Sequence, residues 1–161
     1  MTDIDKLKAI VQKLRSIDGC PWDRVQTHES LKAPCIEEAT EVVSGINILS
    51  ATGNSDNLKE ELGDLLLQVV FHSCIAEEEG LFTLDDVIDV VSEKMIRRHP
   101  HVFSGVTFDS DEARHKAWVE IKAKEKEGKE WQEEYLKEAF SEAQELIDTA
   151  KKRKGLSLTT E

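Results

Sequence analysis

Apolar residues recur at helical spacing through almost the whole chain, and that one feature constrains the fold to an all-α class. Ile4, Leu7, Ile10, Val11 and Leu14 step along one helical stripe. Asp18-Gly19-Cys20-Pro21-Trp22-Asp23 interrupts the period and predicts a loop, because glycine and proline punctuate helices. A second helix is predicted from Glu29 or Pro34 to Leu49, with Pro34 better suited to a first turn than to an interior. Ala51 to Ser55 ends it. A third helix covers about Asp56 to Glu79, with Leu58, Leu62, Leu65, Leu66, Val69 and Val70 on its buried side and Gly80 as its stop.

Thr83 and Asp86 form a partial capping box for a fourth helix, whose core face is Val87, Ile88, Val91, Met95 and Ile96. His99 to Gly105 reads as a loop, and Asp109 with Glu112 as the start of a fifth helix carrying Trp118 and Ile121. Lys124 to Lys129 is charged and nearly free of apolar residues. A last amphipathic helix follows, with Trp131, Tyr135, Leu136, Phe140 and Leu146, and the residues from Lys151 onward read as a frayed tail. There is no internal repeat and no strand pattern. The expected architecture is an antiparallel, all-α helical bundle, with the main domain over 1–125 and a helical extension and tail over 126–161.

The chain has 161 residues, enough for one domain with one core. Its formal net charge of -12 argues against DNA or RNA as a partner, since phosphate contacts need clustered Lys and Arg. A small phosphorylated ligand remains compatible if a metal or a local basic cluster neutralises it. Cys20, Cys35 and Cys74 are odd in number and never at C-x-x-C spacing, so neither a disulfide framework nor a zinc site is expected. A reducing cytoplasm fits that usage. The first residues lack the apolar core of a signal peptide. No apolar run nears the ~20 residues of a membrane span. No membrane association is expected.

Two acidic groups lie on consecutive long helices: Glu37-Glu38-Ala39-Thr40-Glu41 and Glu60-Glu61-Leu62-Gly63-Asp64. Glu38 and Glu41 are i and i+3, as are Glu61 and Asp64, so each pair projects from one helix face. Antiparallel packing through a short loop would let four carboxylates converge. Packed that closely they repel, unless a cation sits between them. Oxygen donors without nearby Cys or His favour Mg²⁺, with Mn²⁺ as a substitute, over zinc. The chemistry this suggests is metal-assisted attack on a phosphoanhydride. An acidic run on a helix is more often a solvated face, and Glu77-Glu78-Glu79 reads as one. Against that, Glu61 and Asp64 are set among Leu58, Leu62, Leu65 and Leu66. Gly63 also costs roughly 1 kcal/mol against Ala in a helix interior, which suggests close approach of a backbone or ligand.

The pattern of the acids resembles the MazG family of nucleotide pyrophosphohydrolases, whose signature is E-E-x-x-E, a spacer, then E-x-x-D. Here it reads Glu37-Glu38-Ala39-Thr40-Glu41, nineteen residues, then Glu61-Leu62-Gly63-Asp64. Further blocks are similar to the family in the same order: Gly19 to Asp23, Gln26-Thr27-His28, Gln68 to His72, and Lys94 to Phe103. The resemblance covers about residues 5–125. It implies an all-α, usually dimeric enzyme converting (d)NTP and water to (d)NMP and diphosphate with Mg²⁺, in nucleotide-pool house-cleaning. By motif position, Glu38, Glu41, Glu61 and Asp64 would hold metal and Glu37 would support them. Glu38 is the first candidate to activate water for attack on the α-phosphorus.

The substrate's phosphates also need cations. Lys94 and Arg98 share a helix face at i and i+4 and resemble the family's phosphate-binding pair. Trp118 and Lys122 resemble its W-x-x-x-K, the tryptophan to stack on a base and the lysine to reach a phosphate. On residues alone these two read as a core tryptophan and a surface lysine. Trp22 and Asp23 lie where a loop could read a base, or where a buried tryptophan anchors the loop. His28, His99 and His101 read as structural or substrate-orienting. Cys35 and Thr40 depart from the family's aromatic preferences near the nucleotide pocket.

Rival readings are weaker. Only Glu112-Ala113-Arg114-His115 fits a di-iron Glu-x-x-His motif. Glu77-Glu78-Glu79-Gly80 matches only the end of a Nudix motif, and no P-loop is present. The alternatives are a non-catalytic helical module binding nucleotide or protein, and a narrow dUTP or dCTP hydrolase. A homodimer or higher homo-oligomer is expected, because the carboxylates occupy surface that would otherwise be buried and the second and third helices offer apolar faces.

Overall fold

The computed structural model describes residues 2–156. Eight helices are found among them, and no strand. The all-α expectation therefore holds. Contacts divide the chain into two compact units. One comprises the residues up to Leu84 together with those from Phe140 onward, and the other is Asp85–Ala139.

The first unit opens with α1 (Asp3–Arg15). The Thr2 hydroxyl accepts from the Asp5 N–H at 3.3 Å, and the Asp5 carboxylate accepts from the Thr2 N–H at 2.7 Å. Val11 is fully buried, with Ile4 and Leu7 packed beside it, but Ile10 faces outward. The predicted loop around Trp22 contains a short helix, α2 (Pro21–Arg24), started by Pro21 at a position where its missing N–H has no helical partner to lose. α3 (Lys32–Thr52) places Pro34 in its first turn, as expected. Gly53 ends it in the left-handed region. α4 (Asp56–Glu78) follows. Beyond it, Leu81 donates to the Ala76 carbonyl and Gly80, at φ +70°, donates to Glu77. That is a Schellman stop at the predicted glycine.

α3 and α4 run antiparallel, since Gly45 meets Leu58 at one level and Glu38 meets Asp64 at another. The core of this unit is Val11, Leu31, Val70, Phe71, Cys74, Ile75 and Leu84. It is smaller than the periodicity predicts. Leu62, Leu66 and Val69 were expected on the buried side of α4 but are exposed in the single chain, Leu62 by 50%. The buried side of α4 is carried instead by its C-terminal half, from Val70 to Ala76.

Arg15 ties this unit together. Its Nε and Nη2 donate to the Glu78 carboxylate at 2.8 and 2.7 Å, and its Nη1 donates to the carbonyls of Asp23 and Gln26. One guanidinium thus joins the end of α1 to α4 and to the chain around α2. The Glu78 carboxyl is held below its ordinary range, chiefly by that hydrogen bond.

α5 (Leu84–Arg98) begins directly after Thr83, and from Asp85 onward it belongs to the second unit. The predicted His99–Gly105 loop contains the short helix α6 (Pro100–Phe103). α7 (Asp111–Lys126) is capped by Ser110, whose hydroxyl accepts from the Ala113 N–H, rather than by the predicted Asp109. Of the expected core face of α5, Val87 is half-buried, and Ile88, Val91, Met95 and Ile96 are exposed in the single chain.

α8 (Gln132–Arg153) runs from the second unit into the first, with Trp131 just before it and Tyr135 and Phe140 on it exposed. Residues 151–156 are not frayed as predicted. Leu156 donates to the Lys151 carbonyl, and Gly155, at φ +67°, donates to Lys152, so the helix ends in a second Schellman cap. Residues 157–161 of the expected tail lie outside the described residues. No described helix is long and apolar enough to cross a membrane.

Candidate active site

The α3–α4 hairpin positions the acids. Its close crossing is set by Gly45, which is buried against the backbone of Leu58. With the helices that near, carboxylate oxygens of Glu38, Glu61 and Asp64 lie within 4.8 Å of one another. Glu38 and Glu61 are half-buried. Asn57, one turn before Glu61, donates to its carboxylate at 2.8 Å and fixes that side chain. Burial raises the Glu38 carboxyl above its ordinary range, and the charges of Asp64, Glu61 and Glu37 push the same way, while Lys154 opposes them.

Glu41 and Glu37 are placed differently. Glu41 is not among the three converging carboxylates and is ion-paired with Lys154. Glu37 pairs with Arg153, and the Lys154 ammonium is 4.0 Å from it. The hairpin therefore brings together three of the four expected ligands, while the fourth faces a lysine from the end of α8. The donor set suits a hard divalent cation, being carboxylate oxygens with no Cys or His among them.

A cleft of about 340 Å³ adjoins the acids. Trp22, Asp23, Glu37, Glu38, Gln68 and Arg153 line it. Trp22 is 61% exposed on α2, so it is not the buried anchor of a loop. Gln68 is buried, and its side-chain carbonyl has no partner among the described residues. A buried acceptor without a donor costs about 1–3 kcal/mol unless water or a ligand satisfies it. A second groove, of about 330 Å³, lies between Glu37, Glu41 and Glu61 on one wall and Ile147, Ala150 and Lys154 on the other.

Gly63 behaves unlike Gly45. A Cβ added there would meet nothing within 4 Å among the described residues, so none of their backbone approaches it from outside its own helix. Within the α3–α4 hairpin the glycine of close approach is Gly45, which sequence patterning had not singled out.

The basic candidates lie in the second unit. Arg98 donates twice to Glu125, at 3.0 and 2.6 Å, and Arg97 shares that carboxylate. Lys94 is half-buried. The Lys122 ammonium sits 4.2 Å from the Trp118 ring centroid, a cation–π contact, and His115 stacks on the same indole. A pocket of about 280 Å³ in this unit is lined by Arg98, His99, His101, Arg114, His115 and Trp118. His28 and His72 stack, with their Nδ1 atoms 2.8 Å apart. Burial lowers His72, and His28 adds to the effect.

Four residues beside the acids were not anticipated: Asn57, Gln68, Arg153 and Lys154. Asn57 has a spacing signal, four residues before Glu61. Gln68 lies in a block already similar to the family. Arg153 lies 116 residues beyond Glu37, its ion-pair partner, and no local pattern could join them.

An all-α chain that gathers paired carboxylates on an antiparallel hairpin defines a class of helical proteins with an oxygen-donor acidic centre. Residues 26–103 match the MazG nucleotide pyrophosphohydrolase domain, and the chain belongs to that family. It is 54% identical over 122 residues to the nucleoside triphosphate pyrophosphohydrolase/pyrophosphatase MazG of Thermotoga maritima, covering 76% of this chain and 45% of that protein. It is 41% identical over 127 residues to a nucleoside triphosphate pyrophosphohydrolase of Escherichia coli, covering 78% and 47%. A protein of that name from Mycolicibacterium smegmatis is 42% identical over 123 residues, covering 75% and 36%. The chain thus spans less than half the length of each of these relatives.

Proposed function

We propose that this chain is a Mg²⁺-dependent nucleoside triphosphate pyrophosphohydrolase that converts (d)NTP and water to (d)NMP and diphosphate. The observation that carries the reading is the approach of Glu38, Glu61 and Asp64 to within 4.8 Å. Three acids so close are costly without a cation, and they belong to the family's E-E-x-x-E and E-x-x-D pattern.

Glu38, Glu61 and Asp64 would hold the metal, and Glu41 would join them once released by Lys154. A bound divalent cation supplies charge neutralisation to the triphosphate and to the departing diphosphate. Glu38 orients the attacking water and takes its proton as the new bond to the α-phosphorus forms and the anhydride bond to the diphosphate breaks. Asn57 holds Glu61 in place. Trp22 offers an exposed indole to a base, with Asp23 and Gln68 in the same cleft. The substrate-binding assignment of Lys94, Arg98, Trp118 and Lys122 rests on the family pattern alone.

The reading extends to a homodimer acting in the cytoplasm on the nucleotide pool. Val43, Ile46, Leu62, Leu66 and Val69 leave the α3–α4 hairpin with exposed apolar side chains, which a second copy would cover.

The test is product analysis by chromatography. Purified protein is incubated with each NTP and dNTP, in Mg²⁺ or in EDTA, beside Glu38→Gln. NMP and diphosphate, lost with EDTA and with the substitution, are expected. No turnover by folded, metal-loaded protein would refute the reading in favour of a binding module, and turnover of dUTP or dCTP alone would mark a dedicated hydrolase.

A further inference from the structure

The end of α8 lies outside the residues matched by the family domain, yet it reaches the acids of α3. Arg153 pairs with Glu37, and Lys154 pairs with Glu41 while standing 4.0 Å from Glu37. Lys32, at the start of α3, donates to Glu142 of α8 at 3.0 Å, so the helix is also held a turn or more upstream. Ile147 and Ala150 share a groove with Ile36 and Thr40 of α3. The Schellman cap at Gly155 fixes where the basic run stops.

These contacts answer an electrostatic need. Five carboxylates, Glu37, Glu38, Glu41, Glu61 and Asp64, crowd one hairpin. A nucleoside triphosphate brings several more negative charges to the same place. A divalent cation at the three converging acids leaves Glu37, Glu41 and most of the phosphate charge uncompensated. Arg153 lines the cleft that also holds Glu37 and Glu38, and Lys154 lines the groove that holds Glu41 and Glu61. Each cation therefore lines a cavity that it shares with acids of the hairpin.

The geometry points to the basic end of α8 as part of the nucleotide site. Arg153 and Lys154 neutralise Glu37 and Glu41 in the free protein. They pass to the phosphate chain when a metal–nucleotide complex takes over the carboxylates. Arg153 suits this exchange because its planar fork pairs with carboxylate and phosphate alike. Lys154, on a flexible stem, releases Glu41 to the metal as it swings to phosphate. The inference rests on the reading of this site as a triphosphate hydrolase and adds two binding residues to it.

The experiment uses the full chain and a probe without a base. Inorganic tripolyphosphate is titrated calorimetrically in Mg²⁺ into the wild-type protein, the Arg153→Ala/Lys154→Ala double variant, and Lys152→Ala. Lys152 carries a like charge at the same helix end but lines neither cavity, so each single variant, Arg153→Ala and Lys154→Ala, is compared with Lys152→Ala at equal charge. The double variant is expected to bind roughly tenfold more weakly or worse, and Lys152→Ala within about twofold of wild type. Arg153→Lys/Lys154→Arg should recover most of the affinity, and helicity by circular dichroism should be unchanged throughout. With nucleotide, KM should rise in the double variant with little change in kcat. Equal affinity in the double variant and wild type would overturn the inference, as would tighter binding, which would make the α8 end a competitor of the ligand. Wild-type protein that binds tripolyphosphate but turns over no nucleotide would refute the hydrolase reading alone.

Discussion

Gly45 of α3 lies against the backbone of Leu58 of α4, so close that a Cβ on Gly45 would stand 2.8 Å from the Leu58 Cα and 3.1 Å from its nitrogen. Neither atom can swing aside as a flexible side chain could. Gly45→Ala is therefore expected to push the hairpin apart, costing about 1–3 kcal/mol, and to lower activity by separating Glu38 from Glu61 and Asp64. Gly63→Ala has open space around the new methyl and should stabilise the free protein by up to about 1 kcal/mol. Urea unfolding of both variants checks the contrast; equal effects would refute the crossing argument.

Arg15→Ala removes the donor shared by Glu78, Asp23 and Gln26 and should cost about 1–3 kcal/mol. The Glu78 carboxyl is held below its ordinary value of 4.5 by that guanidinium. Its lowered affinity for protons makes its contribution present above about that value and lost as pH falls through the folded one. Glu78→Gln should thus flatten the acid limb of a stability–pH curve below pH 4.5 relative to wild type. A limb of unchanged slope would rule out the pair as its source.

The three converging acids repel in the absence of a cation. Glu38→Gln is expected to raise the melting temperature measured in EDTA, because it removes a half-buried charge facing two others. Mg²⁺ should raise the melting temperature of wild type and have little effect on the variant. Activity of the variant should fall by roughly 100-fold or more. Calorimetric scans with and without Mg²⁺ read the first two effects, and an equal Mg²⁺ response in both proteins would remove Glu38 from the metal site.

The exposed apolar side chains of the hairpin predict self-association. Sedimentation equilibrium at micromolar concentration should give twice the chain mass or more, and Leu66→Glu should shift it toward one chain. A single-chain mass for the wild-type protein would refute the dimer. An unchanged mass for Leu66→Glu would place the interface elsewhere.

The helical period, the turn glycines and the spacing of Glu38, Glu41, Glu61 and Asp64 were legible in the sequence, because each depends on residues a few positions apart. Pro34 and Gly80 fell where local backbone chemistry requires. The short helices at Pro21 and Pro100 were hidden because four residues carry no period. The buried face of α4 was misplaced for another reason. A period identifies an apolar stripe, but not which part of it this chain covers and which part it leaves for something else.

By itself, then, the sequence determined the class of fold and the two acidic pairs, since local propensity and i, i+3 spacing set which side chains share a helix face. Only the tertiary structure decided that Gly45 rather than Gly63 is the point of closest approach, and that three acids converge while Glu41 meets Lys154. It also turned an expected frayed tail into a capped helix end beside Glu37 and Glu41. Those outcomes depend on contacts between residues far apart in the chain, and their distances are fixed only when the helices pack.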